Sequence, residues 1–342
     1  MLEDGLETSS PWWLMVLVGE EEFVEYIVSR FLDKPGFGER LSPGDDARDI
    51  VPRSHRILFS IDGYSLESVM LPWRRLDDIG WCLVSSVVSD IVCKTGYPYG
   101  VMVSIGIPSS WGLDEVELLY SGIRSACNSY GCRLLGGDTN YSGTPWASIA
   151  CIGFTQSAYP PGRCGAREGD LVIATGVYGA MGVVAVDGVE KASGLEWVVE
   201  ATRRPRVYLE IAGLIARYSK SIHASMDVSD GLGYTLYTIA RCSRKTIVLD
   251  DLPRYYLGLR DYCRGDRECM LERVMAGGEE YGVVIAIDKD VARDFLSDLE
   301  RYRIPYSVVG RVVEERGYRL MYRDSVLRVR RWDQFSGWIE LE

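Results

Sequence analysis

A chain of 342 residues, 47% hydrophobic and 25% charged, is long enough to bury the cores of two domains. Its 38 Lys and Arg against 49 Asp and Glu leave a net charge of −11, which offers no basic field for nucleic-acid phosphates. His55 and His223 are too few for a His-based zinc site or a Ser-His-Asp triad, and the nine cysteines, without a C-x-x-C pair, read as buried free thiols of a reducing cytoplasm.

In chain order, "PWWLMVLV" is too short to span a bilayer and no basic stretch precedes it, so neither a membrane span nor a signal peptide is expected. "EEEFVEYIVSRFL" spaces Phe23, Ile27 and Phe31 at helical intervals behind an acidic start, which predicts a helix. "RILFSIDG" alternates as a strand, with Ile57, Phe59 and Ile61 on one face and Leu58, Ser60 and Asp62 on the other. From Asp77 to Lys94 the apolar stripe Ile79, Leu83, Val87 marks a helix, and Asp90 falls on that stripe, aimed inward. A strand at "GVMVSIGIP", a helix over "DEVELLYSGIRSACNSYG" closed by glycine, and a strand at "ASIACIGF" follow. The Pro- and Gly-rich loop "TQSAYPPGRCGAREG" predicts a division into domains 1–156 and 157–342. Beyond it, strands are expected at "DLVIATG", "KTIVLD", "YGVVIAI" and "YSVVGRVV". Helices and strands interleave, so each half should be a layered α/β or α+β unit.

Acids recur in "PGDDA", "FSIDG", "VVSDI", "LLGGDTN" and "MDVSDGLG". Singly each has an ordinary explanation: a type I turn, an Asp90–Lys94 pair on a helix face, or Ser229 or Asp230 capping the next helix, with "GGEE" as a solvated loop. Together they point elsewhere, because a pair of like charges about 4 Å apart costs on the order of 4 kcal/mol at an effective dielectric near 20. Hard divalent cations remove that cost, and a donor set of oxygen alone selects magnesium or calcium over zinc. Magnesium shares its shell between carboxylates and phosphates, which points to a nucleotide. No P-loop, no G-x-G-x-x-G after a strand and no kinase signature is present, although "ATGVYGAMG" offers a helix start that could receive an anion.

The ordered set "PGDDA", "FSIDG", "DIGWCLVSSVVSDI", "LLGGDT", "GRCGAREGDLVIATG", "MDVSDGL" and "AGGEEYGVVIAI" resembles the thiamine-monophosphate kinase family, over roughly Phe23 to Trp338. The resemblance implies a two-domain fold like aminoimidazole ribonucleotide synthetase, in which the N-terminal mixed sheet forms a barrel at a homodimer interface beside a C-terminal α/β domain. It implies a cytoplasmic enzyme that moves the ATP γ-phosphate onto thiamine phosphate with several Mg²⁺ ions. By motif, the metal ligands would be Asp45, Asp46, Ser60, Asp62, Asp90, Asp138, Asp227 and Asp230. ATP would meet Gly137, Asp138, Arg163 and Ser229; the acceptor would meet Val69, Glu279 and Trp332. The acceptor being a phosphate oxygen, no protein base is required.

Three departures stand out: the family's S-T-D-T is "SIDG" here, its following histidine aligns with Val69, and its GGED is "GGEE". They leave two alternatives open, an ATP-dependent relative with a different acceptor and a nucleotide-binding homologue without turnover.

Overall fold

The structure, a computed structural model, describes residues 20–43, 49–54, 56–314, 317, 319–333 and 337–341. Its N-terminal half runs α1 (Glu20–Phe31), β1 (Arg56–Ser65), α2 (Leu66–Val69), α3 (Leu76–Cys93), β2 (Tyr97–Ile107), α4 (Leu113–Tyr130), β3 (Arg133–Tyr141) and β4 (Trp146–Thr155). The four strands lie in the order β1-β4-β2-β3, with β2 and β3 parallel and the other pairs antiparallel. α3 and α4 cross closely: a Cβ at Gly80 would stand 2.2 Å from the Leu119 carbonyl oxygen, so only glycine fits.

The C-terminal half continues as β5 (Leu171–Thr175), α5 (Ala180–Asp187), α6 (Val189–Ser193), α7 (Glu196–Arg203), α8 (Glu210–Arg217), β6 (Ile222–Asp227), α9 (Leu232–Ser243) and β7 (Thr246–Leu249). It ends with α10 (Leu257–Tyr262), α11 (Arg267–Ala276), β8 (Val283–Ile287), α12 (Lys289–Arg301), β9 (Tyr306–Val313), β10 (Leu320–Tyr322), β11 (Ser325–Val326), β12 (Val329–Asp333) and β13 (Gly337–Leu341). A seven-stranded mixed sheet takes the order β11-β10-β7-β9-β5-β8-β6, and β12 pairs with β13 as a separate hairpin. This is the mixed α/β two-sheet architecture expected from the interleaved pattern.

α3 is the hinge of the packing. Its Val84, Val88 and Ile91 share one core with Ile173, Val283 and Ile285 of the second sheet, all at most 2% exposed. Each such side chain contributes about 1.5–3 kcal/mol on burial. The helix is also bolted across by Trp81 Nε1 to the Pro205 carbonyl at 2.8 Å and by Arg204, which donates to Asp78 Oδ1 at 2.5 Å and Asp77 Oδ2 at 2.7 Å.

β1 inverts the usual arrangement. Leu58, Ser60, Asp62 and Tyr64 are half-buried, while Phe59 and Ile61 on the other face are 72% and 74% exposed. The polar alternate thus looks into the protein and the apolar one looks out.

The expected free thiols need correction. Cys164 pairs with Cys242 and Cys263 with Cys269 as disulfides, while Cys82, Cys93, Cys127, Cys132 and Cys151 remain buried thiols. Cys164 meets Cys242 because the Ser243 hydroxyl accepts the Gly165 and Ala166 N–H groups at 3.0 Å each, a contact 78 and 77 residues apart in sequence. Among the described residues no helix is long and apolar enough to cross a membrane.

Candidate active site

The strand face of β1, the last turn of α3 and the loop after β6 converge. Ser60, half-buried on β1, donates its hydroxyl to Asp90 Oδ2 at 2.5 Å. Ser89 donates to Asp227 Oδ2 at 2.8 Å across the two halves, and the Ser225 hydroxyl donates to the Cys93 carbonyl at 2.9 Å. Lys94, for which a surface pair with Asp90 is the ordinary alternative, donates its ammonium to the Ser225 carbonyl, with its charge still felt at Asp90.

The acids of this cleft feel one another. Burial, then the charge of Asp90, pushes Asp227 up to about 7, with Ser89 and Lys94 opposing and Asp230 adding to the rise. Asp90 is raised first by burial and further by Asp62, against Ser60, Lys94 and Arg163. Asp230 is raised by desolvation at the cleft, with Arg331 opposing and Asp62 and Asp90 adding to the rise. The carboxylates of Asp62, Asp90, Asp227 and Asp230 therefore lie near enough to act on one another, in a partly dry region whose cations only partly offset them. Among the described residues no group of three or more Asp, Glu, His or Cys side chains is placed to hold a metal ion.

Arg163 lies exposed on the loop between the halves, its charge felt at Asp90 and Asp230. The loop is held by Ser225 N–H to the Gly162 carbonyl at 2.8 Å and by the Cys164–Cys242 disulfide. Ser229 ties the cleft to the "GGEE" turn: its carbonyl accepts the Glu279 N–H at 2.7 Å, and a Cβ at Gly278 would sit 2.7 Å from the same oxygen. Glu279 and Tyr281 take left-handed backbone, φ 52° and 43°, a conformation costly for these residues and held here by the packed turn. The turn is half-buried rather than a solvated loop, and neither Ser229 nor Asp230 caps α9, whose N-cap is Gly231.

The anion-receiving helix start is filled by the chain itself. Glu280 Oε1 accepts the N–H groups of Gly179, Ala180 and Met181 at 2.8, 3.0 and 3.3 Å at the start of α5, while Oε2 is buried without a hydrogen-bond partner. Burial lifts this carboxyl well above its usual range even against three donors.

Asp138 does not join the cleft within one chain. The register runs Gly63–Ser148–Ser104–Asp138 across the first sheet, so Asp138 shares the face of Gly63 and lies three strands from β1, opposite to Asp62. It is exposed and accepts the Asn140 amide at 2.6 Å; Gly137 precedes it on β3. Val69 ends α2, packs partly buried against the core, and offers its carbonyl to Arg74. Trp332 lies on β12, paired with Trp338 of β13, with its side chain outside the described residues. Asp45, Asp46 and His55 lie outside them altogether. His223 is a structural group, its Nδ1 2.9 and 3.0 Å from the Asp170 carboxylate.

Three residues escaped the sequence reading. Ser89 stood beside Asp90 in "VVSD" and could have been noticed as a second hydroxyl. The bond from Lys94 to the Ser225 carbonyl and the role of Arg74 in "PWRRL" carry no sequence signal, because the partners lie 131 and up to 205 residues away.

Two matches span most of the chain: the N-terminal domain of AIR synthase related protein at residues 44–155 and its C-terminal domain at 167–323. A thiamine-monophosphate kinase of Nitrosopumilus maritimus is 29% identical over 270 residues, covering 77% of this chain and 84% of its own. Among solved structures, tt0281 from Thermus thermophilus superposes with a TM-score of 0.73 at 26% identity, over 91% of this chain and 98% of that one. The likeness to AaThiL complexed with AMPPCP and TMP, TM-score 0.67 at 23% identity over 90% and 94% of the two chains, is one of fold. On these matches the chain belongs to the AIR synthase related family, within its thiamine-monophosphate kinase group.

Proposed function

We infer that the protein is an ATP-dependent thiamine-phosphate kinase, which transfers the γ-phosphoryl group of ATP to the phosphate of thiamine phosphate and yields thiamine diphosphate. The observation that carries this reading is the convergence of Ser60, Asp62, Asp90, Asp227 and Asp230 from both halves of the chain at one cleft, with Arg163 at its edge. The curated kinase relatives and the AMPPCP and TMP complex of a protein of this fold support the choice of substrates.

The donor types suit magnesium: they are carboxylate and hydroxyl oxygens, without thiolate or imidazole, and the carboxyls of Asp90 and Asp227 are raised first by burial and then by neighbouring acids. In this reading Ser60, Asp62, Asp90, Asp227 and Asp230 hold the ions, with Asp45 and Asp46 completing the set. Bound magnesium supplies neutralisation of the triphosphate charge.

The chain's own residues do the rest. Arg163 presents a guanidinium to phosphate, and Gly137 and Ser229 approach the nucleotide through their backbone. The acceptor is an ionised phosphate oxygen near neutral pH, so no side chain needs to take a proton, and the aspartates act as ligands rather than bases. Catalysis is then alignment and charge neutralisation. Glu279, Val69 and Trp332 border the acceptor.

A homodimer belongs to this reading. The exposed Ile57, Phe59, Ile61 and Met102 form an apolar face on the first sheet, which a second copy covers, and Asp138 stands on that same face. Asp138 thus enters a site only through assembly. The domains divide at residue 156, between the sheets. A cytoplasmic location goes with ATP as substrate, while the two disulfides run against a strongly reducing compartment.

The test is the formation of ADP and thiamine diphosphate from ATP and thiamine phosphate with Mg²⁺. ADP release with another phosphorylated acceptor but not with thiamine phosphate would favour a different substrate in the same site. Val69, where the family carries histidine, is the feature that makes this second reading specific.

A further inference from the structure

The turn between α2 and α3 buries a charged side chain: Arg74 exposes 1% of its side chain. A buried guanidinium must spend its N–H groups on acceptors. Nε and Nη2 both donate to the Thr202 carbonyl, at 3.0 and 2.6 Å; Nη1 donates to the Val69 carbonyl at 3.1 Å; Nη2 donates to Glu279 Oε2 at 2.6 Å. Three segments meet on one cation: the end of α2, the last turn of α7 and the "GGEE" turn.

Two of these segments carry the acceptor-side positions Val69 and Glu279. The third, with Glu279, lines a cavity of about 210 Å³ that also includes Arg204, Tyr208, Tyr256 and Glu280. Arg74 is not part of the cavity wall; it stands behind Glu279 and grips one carboxylate oxygen. Among the described residues no other hydrogen bond to the Glu279 carboxylate is present. Nor is Arg74 needed to hold the halves together, since Trp81–Pro205 and Arg204 with Asp77 and Asp78 already do so.

We propose that Arg74 is the positioning residue of the acceptor half of the site, fixing the Glu279 carboxylate relative to the end of α2 so that thiamine phosphate, and not ATP, responds to its loss. This rests on the functional reading above. Arg74 touches neither substrate; it acts through Glu279.

The experiment is steady-state kinetics on Arg74→Met, Arg74→Lys, Glu279→Gln and the double variant Arg74→Met/Glu279→Gln, with AMPPCP affinity and a thermal melt for each. Arg74→Met is expected to raise KM for thiamine phosphate about tenfold or more, with KM for ATP and AMPPCP affinity held within about twofold. Arg74→Lys, which keeps the charge but loses the fork, should fall between it and the parent. On the Glu279→Gln background, Arg74→Met should add less than about twofold, because both act on one interaction. Equal effects on both substrates, or independent multiplication of the two single effects, would overturn the proposal. If Arg74→Met does not fold, Arg74→Lys decides: an unchanged acceptor KM overturns it. Parent protein that releases no ADP with thiamine phosphate would instead overturn the functional reading, and this inference with it.

Discussion

Asp227 at the end of β6 and Glu280 just before β8 are both acids lifted by burial above their usual range, yet what faces them differs. Glu280 meets three backbone N–H groups at a helix start, so its one accepting oxygen is satisfied by the fold itself. Asp227 meets a serine hydroxyl and the charge of Lys94 on one side and the negative charges of Asp90 and Asp230 on the other. Glu39 is a third case: Arg133, Tyr99 and the Gly36 N–H surround it, and Arg133 leads in holding it down at about 2. Where the protein supplies the donors the acid is structural, and where other acids crowd it the position is a candidate for binding a cation.

Each variant below tests that distinction. The largest effect is expected at Asp227→Asn, which should cut thiamine diphosphate formation about a hundredfold to a thousandfold, by loss of a charge that grips the metal–nucleotide complex. The same variant should remove a pH dependence. Asp227 is raised from 3.8 to about 7 on folding, so its contribution is present below the lower value and lost as pH rises through the higher one. Without metal, the parent should therefore gain stability between pH 7 and pH 4 relative to Asp227→Asn, as thermal melts would register. A flat difference would show that the Asp227 carboxyl is not raised in the folded protein.

Asp138 extends the series to an acid in open solvent on the outer sheet face. Asp138→Asn and Asp62→Asn should each be nearly inactive, and mixing the two after subunit exchange should restore part of the activity if assembly brings them to one site. Ile61→Asp should shift the protein to monomer in sedimentation and remove activity with it.

Smaller effects are expected where the fold answers the acid. Glu280→Ala should cost about 2–4 kcal/mol in denaturant unfolding, by stranding donors at the start of α5, while Glu280→Gln, which mimics the protonated carboxyl, should stay within about 1 kcal/mol. Glu39→Gln should cost about 2–3 kcal/mol at pH 7, a contribution present above 4.5 and lost as pH falls toward 2.

The periodic segments were legible in the sequence. α1, α3 and α4, and the strands β1, β2, β4, β5, β7, β8 and β9, lie where apolar spacing predicts them, because each buries one regular face or runs continuously apolar. β3 shows in the sequence only as the acid-bearing "LLGGDTN", its two central glycines hiding a strand, and β6 goes unmarked in "IHASMD". At the site, the inward aim of Asp90 is readable from its apolar stripe and the shared face of Asp62 and Ser60 from the alternation, whereas the inward direction of that polar face is not, because the apolar Phe59 and Ile61 turn outward instead. The face of Asp138 was not readable, because it depends on register across four strands, and strand pairing is a long-range property. The Cys164–Cys242 disulfide, the partner of Lys94 and the role of Glu280 as the anion at the start of α5 are hidden for the same reason: they join residues 78, 131 and 101 positions apart.

The most direct test of the acid cleft as a cation-dependent nucleotide site is calorimetric titration of AMPPCP with Mg²⁺ and again with EDTA, on the parent and on Asp227→Asn. Binding should be tight with Mg²⁺, fall about a hundredfold or more in EDTA, and be weak under both conditions in the variant. AMPPCP that binds equally well in EDTA, or equally well to Asp227→Asn, would contradict the account.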